Sequence, residues 1–430
     1  MRFFGQCFFG VLVFPVIVEA CFRHAIFGSG ANDFPEPVVT PFSLSGRSFS
    51  GWRLLLALSL VVLVLPVQAA DGLRFSCSPA RLEAIETRMS AYLKALDIDA
   101  SLYVKQADEG FLTYTLATSP EDTNTLDFHQ RPEMRLRPET LVLPAGQGKL
   151  RKLRTVSKKE IVLALMQHGR LTEFSGEACE FAALQEHVAL RQNIVAWGEK
   201  LAWRWPNGGR ARWNTAYWDR GTPKPGVPLA SALQDAFDAQ AKYRIGCYAA
   251  TKLLLAQGVL DFYRRFQPDK VALVEARLDG EPLVDVEPAA MWSFEADFDP
   301  ATLKQPGKLF KLIHGLAPGN FVPGDWAYLR NTDPVSARHT GYEGSNAVYL
   351  GGGRFDDLYN DNHHGYTYRE KLDEVFQWRY GVFSRSRHFR SVHPLSARDF
   401  KRLGKAPAEG GLLMDYRAVP YLFAYEPLPE

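Results

Sequence analysis

The most reactive side chain in the sequence is the thiol of Cys247, which stands where an apolar helix is predicted to begin, within the run from Tyr243 to Leu255. The N–H groups of a first helical turn and the positive end of the helix dipole favour a thiolate over a thiol. Cys247 is therefore a candidate nucleophile. The alternative is a small buried core residue, because free cysteine is among the most buried residue types.

A thiol nucleophile needs a base that takes its proton and groups that stabilise the oxyanion. Papain-like arrangements place a helix-start cysteine opposite a histidine, or another acid or base, on a sheet. The candidates here are Glu343, ahead of a predicted strand, and the adjacent pair His363 and His364. Either histidine can take the proton, or share it with Glu343, if the fold brings them within about 3 Å of the thiol. The histidine spacing does not favour a metal site, so we predict no metal and no cofactor.

The N-terminal region has the order of a secretory signal. Arg53 precedes an apolar run of about 12 residues, Leu54 to Leu65, and the small residues Ala69 and Ala70 follow. A spanning helix needs about 20 residues, so cleavage is expected, with an uncleaved anchor as the alternative. Residues 1–70 are interpreted as an over-extended start plus this signal. The expected location is periplasmic or secreted, with membrane contact only through an uncleaved signal.

Cleavage near Ala70 leaves the cysteines Cys77, Cys179 and Cys247. In an oxidising compartment, three cysteines favour one bridge and one leftover thiol. Cys77 and Cys179 are the predicted pair because both lie outside the segment expected to do chemistry. A free thiol kept in an exported protein strengthens the interpretation of Cys247 as a nucleophile.

Composition indicates an ordinary folded protein with an ample core, since 46% of residues are apolar and 23% are charged. The formal net charge of +2 is too small to imply a nucleic-acid partner. The length after processing favours two domains. We place an N-terminal domain of unassigned role at 71–175 and a catalytic domain at 176–430. The basic stretch from Lys149 to Lys159 is interpreted as a solvated surface or linker, with a binding patch as the alternative.

Apolar spacing predicts helices over 79–93 and 181–197 in addition to the helix of Cys247. His187, on the second of these, is interpreted as an ordinary surface histidine. Strands are predicted at 111–116, 324–329 and 346–350, the last followed by a tight turn. The predicted fold class is α+β, with the helix of Cys247 packed on an antiparallel sheet and a smaller α+β domain ahead of this catalytic domain.

Several short motifs, taken in order, resemble those of the bacterial spore-coat protein-glutamine gamma-glutamyltransferases. They are 190–196, 214–218, the Cys247 helix, 324–331, 344–351 and His364-Gly365. The resemblance covers roughly residues 183–372 and implies a papain-like fold related to cell-wall peptidases. It also implies an acyl transfer in which Cys247 attacks a glutamine carboxamide, ammonia leaves, and a lysine amine or water resolves the thioester. The implied partner is a protein or peptide with Gln and Lys side chains.

The sequence departs from the family pattern at two positions. Gly246 stands where the family has an acid, and Ser345 stands where it has a glutamate at the strand start. The predicted catalytic residues are Cys247, Glu343, His364, Ser345 and Asn346. The predicted substrate-binding residues are Trp213, Tyr217, Trp218, Trp326 and His363. For the aromatic residues, core packing is the alternative.

Two other functions compete with acyl transfer to an amine. One is a periplasmic papain-like cysteine amidase or peptidase, in which water is the acceptor. The other is a catalytically inactive papain-like domain used for binding, which the missing carboxylates at Gly246 and Ser345 favour. Loss of thiol reactivity with retained fold and partner binding would distinguish this last function from the enzymes.

Overall fold

The computed structural model describes residues 71–278 except 147, 200 and 208, residues 310–313, and residues 316–420 except 357, 360–364, 386–388, 406–410 and 412–413. The predicted signal segment and the pair His363 and His364 lie outside the described residues. Within the described part of the chain, no helix is both long and apolar enough to cross a membrane.

The described residues form helices and strands in a mixed order. The helices are α1 (Pro79–Ala95), α2 (Lys158–Leu165), α3 (Phe181–Gly198), α4 (Leu229–Asp238), α5 (Cys247–Phe266), α6 (Val271–Leu278), α7 (Tyr368–Trp378) and α8 (Ala397–Leu403). The strands are β1 (Gly72–Ser76), β2 (Tyr103–Asp108), β3 (Phe111–Leu116), β4 (Glu139–Ala145), β5 (Lys149–Thr155), β6 (Leu171–Ser175), β7 (Trp218–Asp219), β8 (Thr222–Pro223), β9 (Phe310–Ile313), β10 (Trp326–Arg330), β11 (Gly344–Gly351), β12 (Arg354–Asp356), β13 (Tyr366–Thr367) and β14 (Met414–Pro420). The α+β class is confirmed, and each predicted helix and strand is present within a few residues.

A proline at its start and the spacing of its apolar residues explain where α1 begins and which face it buries. α1 begins at Pro79, whose fixed φ and missing N–H suit the first turn of a helix. Its buried residues are Leu82, Ile85, Met89 and Leu93, as the spacing of three and four predicts.

An antiparallel sheet of six strands in the order β13-β12-β11-β10-β14-β9 separates two hydrophobic clusters. On one face, Trp326 and Val348 join the core formed with α3 and α5. On the other face, Ala347 and Tyr349 pack with residues of α7. The strands therefore present alternate residues to two different environments, as the pleat requires.

Close packing of α3 against α5 sets the position of the cysteine-bearing helix. A Cβ at Gly258 would lie 2.7 Å from Ile194 Cγ1 and 2.8 Å from Ile194 Cα, so only glycine allows this approach. At the same contact, Asn193 Nδ2 donates to the carbonyl oxygen of Gly258 at 2.7 Å. α5 is buried along most of its length, which is expected of a helix in the centre of a core.

Residues on both sides of position 175 contribute to the larger core, and a disulfide joins them. A four-stranded sheet in the order β2-β3-β1-β6 lies in the N-terminal part. The disulfide Cys77–Cys179 connects the end of β1 to the start of α3 and confirms the predicted pair. Cys247 is the free cysteine of the described residues. The division into domains at 175 stays a prediction.

One interpretation of the sequence is wrong and another is wrong in part. His187 is fully buried, not a surface residue, because it packs at the end of α3 that faces Asp325 and its arginine partners. The stretch from Lys149 to Lys159 is not a linker, although Lys149, Lys152 and Arg154 are exposed, as expected of a solvated surface. It forms β5, which pairs with β4 along seven residues, and the first turn of α2, where the Lys159 side chain is buried.

Candidate active site

Cys247 is the first residue of α5 and is 8% exposed. Gly246 precedes it in an extended conformation, and its carbonyl oxygen accepts the first intrahelical hydrogen bond, from Ala250 N–H at 2.9 Å. The segment leading into the helix is held from the side, since Ile245 N–H donates to the carbonyl oxygen of Arg204 at 2.9 Å. The predicted helix-start cysteine is therefore present and fixed in place.

Asn346 on β11 contacts the sulfur twice. Its backbone N–H and its side-chain Nδ2 both donate to Cys247 Sγ at 3.4 Å. Trp326 Nε1–H donates to Asn346 Oδ1 at 2.8 Å. Because an indole N–H can only donate, this bond fixes which end of the Asn346 amide faces the sulfur. Two N–H groups are thus directed at the sulfur of Cys247.

The register of β10 with β11 brings Trp326 and Asn346 together. Tyr328 pairs with Asn346 and Trp326 pairs with Val348, so Trp326 and Asn346 are diagonal neighbours on one face of the sheet. The same face carries Gly344, where a Cβ would lie 2.5 Å from the Tyr328 ring. A larger residue at Gly344 would displace that ring from its place over the start of β11.

Ser345 points to the opposite face of the sheet and contacts Arg385. The guanidinium Nη1 donates to Ser345 Oγ at 3.0 Å, while Nη2 donates to the carbonyl oxygens of Gly341 at 2.6 Å and Gly344 at 2.7 Å. Arg385 is buried, and its guanidinium carbon lies about 5 Å from the rings of Trp205 and Trp378. Arg385 therefore holds the start of β11 from behind, while Asn346 faces the thiol.

Glu343 is exposed, and its carboxylate accepts a hydrogen bond from Gly341 N–H at 3.0 Å. It stands two residues before Ser345, a spacing that places side chains on the same face of an extended strand. Among the predicted catalytic residues that the structure describes, Asn346 therefore contacts Cys247, whereas Glu343 and Ser345 contact other residues. His364 lies outside the described residues.

A buried ion cluster lies directly before Trp326. The Asp325 carboxylate accepts hydrogen bonds from Arg170 at 2.6 and 3.1 Å and from Arg191 at 3.0 Å. It also accepts one from Val322 N–H at 2.9 Å. Burial alone would raise the pKa of Asp325, but the two arginines outweigh it and hold the pKa below its usual value. The cluster joins β6, α3 and the start of β10, so it positions the strand that carries Trp326.

His187 belongs to the same cluster as a neutral partner. Arg191 Nε donates to His187 Nε2 at 2.8 Å. Burial, together with the charges of Arg191 and Arg170, holds the pKa of His187 well below its usual value. A neutral imidazole is the form that can accept from arginine, so geometry and charge agree.

The predicted groove aromatics are mostly buried. Trp218 and Trp326 are at most 1% exposed and Trp213 is 8% exposed, whereas Tyr217 is half-buried. Trp213 and Trp218 pack on each other with ring centroids 5.0 Å apart. Core packing therefore accounts for the tryptophans, and substrate binding by these residues stays a prediction. His363 lies outside the described residues.

Sequence reasoning missed three groups that shape the site. Trp326 was considered as a groove wall, but it acts here as the donor that orients Asn346. Arg385 and the pair Arg170 and Asp325 were not singled out. Arg385 contacts Ser345, 40 positions away, and Arg170 contacts Asp325, 155 positions away. No local sequence pattern predicts such contacts. Among the described residues, no group of three or more His, Cys, Asp or Glu side chains is arranged to hold a metal ion.

Fold and site define a mixed α+β protein whose free cysteine opens a central helix and faces an antiparallel strand. The family model of the protein-glutamine gamma-glutamyltransferases matches residues 147–362, which is 216 of 430 residues and so just over half of the chain. The chain belongs to this family of acyltransferases, and the resemblance seen in the sequence motifs is confirmed.

Among solved structures, the chain is similar to the transglutaminase from Geobacillus stearothermophilus without its C-terminal extension. The two share 19% identity over 58% of this chain and 96% of that chain, with a TM-score of 0.35. No curated protein matches the chain.

Proposed function

We propose that this protein transfers the acyl group of a protein glutamine to a primary amine through a thioester on Cys247. The observation that carries the proposal is the pair of N–H groups that Asn346 directs at Cys247 Sγ from 3.4 Å, in a chain that belongs to the transglutaminase family. The substrates are proteins or peptides with Gln and Lys side chains.

In the first half-reaction, the sulfur attacks the carboxamide carbon of glutamine and a tetrahedral oxyanion forms. Its collapse breaks the carbon–nitrogen bond, and ammonia leaves with the proton that the thiol gave up. In the second half-reaction, a lysine amine attacks the thioester, an isopeptide bond forms and the thiol is restored. The oxyanion is one bond from the carbon that sulfur attacks, so the Asn346 donors are close enough to stabilise it.

We propose His364 as the base that takes the thiol proton. Support comes from its place in the family motif and from the described chain that precedes it. Trp203 N–H donates to the carbonyl oxygen of Leu358 at 3.2 Å, and the next residue, Arg204, bonds Ile245, two positions before the thiol. Glu343 is the weaker candidate because its carboxylate is exposed and bonded to Gly341 N–H.

The helix-start thiol facing an antiparallel strand supports a papain-like arrangement for the catalytic part. The Cys77–Cys179 disulfide, together with the signal-like N-terminal segment, supports a periplasmic or secreted location, because disulfides persist in oxidising compartments.

The test incubates the purified protein with a glutamine-containing protein and a fluorescent primary amine, with Cys247→Ala and Cys247→Ser as comparisons. The expected result is fluorescence incorporated into the glutamine-containing protein by the wild type alone. Ammonia release that depends on Cys247 without incorporation would mean that water is the acceptor and would contradict transfer. Incorporation that persists in both variants would rule out this thiol.

A further inference from the structure

A cavity of about 520 Å³ lies away from Cys247, between β5, the segment 136–138 and the turn that follows β11. Four cationic side chains line it, namely Arg137, Lys152, Arg154 and Arg354. The strand β11 separates it from the thiol, since Asn346 lies near one end of β11 and the cavity meets Gly351 at the other. At about 3.3 Å per strand residue, the two sites are roughly 17 Å apart.

Three of these cations have no opposite charge beside them. Arg137, Lys152 and Arg154 are exposed, and none forms an ion pair with any residue that the structure describes. Arg354 donates to Glu199 at 3.1 Å. Like charges around one concavity repel one another, and an anion bound between them removes that repulsion.

The acidic side chains of the cavity are already engaged. Glu199 holds Arg354, and Glu160 accepts from Gly352 N–H at 2.5 Å. Burial raises the pKa of Glu160, which weakens its negative charge further. Neither carboxylate therefore neutralises Arg137, Lys152 or Arg154.

We propose that this cavity binds a small polyanion, whose closely spaced carboxylate or phosphate groups contact Arg137, Lys152 and Arg154. Its volume is in the range that holds small molecules rather than a folded partner. Arginine recognises carboxylate and phosphate groups through paired N–H bonds, so both are suitable ligands. The site gives a function to part of the basic stretch from Lys149 to Lys159, and it does not depend on the proposed acyl transfer.

The test measures binding of citrate and of pyrophosphate by calorimetry at about 20 mM ionic strength, where screening is weak. The triple variant Arg137→Gln/Lys152→Gln/Arg154→Gln is compared with a control of equal charge change, Lys94→Gln/Lys224→Gln/Lys242→Gln, whose lysines are exposed and do not line the cavity. Thermal unfolding of each variant checks that it is folded.

We expect saturable one-site binding of at least one probe that weakens at least about tenfold in the triple variant, because three charge-assisted hydrogen-bond donors are lost. The control should bind like the wild type. Citrate alone would identify a carboxylate ligand and pyrophosphate alone a phosphate ligand. Equal binding by the triple variant and the control, or no saturable binding of either probe to the wild type, would overturn the proposal.

Discussion

The side-chain amide nitrogen of Asn346 lies 3.4 Å from the sulfur of Cys247, although the two residues are 99 positions apart. The backbone N–H of Asn346 lies at the same distance, and Trp326 holds the amide in the orientation that directs Nδ2 at the sulfur. In this chain the strand β11 therefore offers two hydrogen-bond donors to the thiol, both from Asn346.

Asn346→Ala removes one of the two donors and leaves the backbone N–H. We expect kcat/KM for amine incorporation to fall by about 10²-fold, the usual cost of losing one donor to a developing oxyanion. Alkylation of Cys247 by iodoacetamide should slow as well. Asn214→Ala is the matched control, because Asn214 bonds Asp235 and not the sulfur. An Asn346→Ala enzyme with wild-type rates would contradict the role assigned to this side chain.

Trp326→Phe keeps an aromatic ring but removes the indole N–H that orients Asn346. We expect a loss of about tenfold in kcat, equivalent to about 1.4 kcal/mol. The same substitution in the Asn346→Ala background should cost almost nothing, because the two residues act on the sulfur through one bond. Trp203→Phe is the control, since its indole donates to Ala236 and its loss affects folding stability alone. Additive losses in the double variant would show that Trp326 acts independently of Asn346.

His364→Ala tests the proposed base. Loss of a general base should lower kcat by about 10² to 10⁴-fold and abolish the acidic limb of the pH profile of kcat/KM. His363→Ala, predicted to affect substrate binding, should raise KM and keep that limb. A pH profile that His364→Ala leaves unchanged would exclude this residue as the base.

Glu343→Gln and Ser345→Ala test the other predicted catalytic residues. We expect both variants to keep kcat within about threefold of the wild type, because neither side chain is directed at the thiol and transition-state contacts are what kcat reports. Ser345→Ala should instead lower the free energy of unfolding by about 1–3 kcal/mol, since the buried Arg385 loses an acceptor. Chemical denaturation measures this loss. A large fall in kcat with unchanged stability would restore Ser345 to the catalytic set.

The low pKa of buried His187 should make the free energy of unfolding depend on pH. Its pKa in the folded protein lies well below 6.5, so in mild acid the unfolded chain binds a proton that the folded protein does not. Stability therefore falls as pH drops below about 6.5, by up to about 1.4 kcal/mol per pH unit from this group. His187→Gln should remove that contribution. Urea unfolding at about pH 7.5 and about pH 5.5 measures it, and equal pH slopes in the two proteins would contradict the assignment.

Much of the site was predictable because it is local. Apolar spacing predicts the helix that begins at Cys247 and the strands around residues 326 and 346. The count of cysteines predicts the Cys77–Cys179 bridge. The linker interpretation of the basic stretch was wrong because only Leu153 and Thr155 mark the buried face of β5, and the charged residues around them hide that short pattern. His187 was misread because its burial depends on Asp325 and Arg170, which are far away in the chain.

The sequence by itself singled out Cys247 as the candidate nucleophile and determined which segments are helix or strand, since propensity, capping and apolar period act over a few residues. Tertiary structure decided which side chain meets the sulfur. A strand presents alternate residues to opposite faces, so Asn346 contacts Cys247 while Ser345 contacts Arg385, one position away. That choice depends on the register of β10 with β11 and on the buried cluster around Asp325, which only the folded chain brings together.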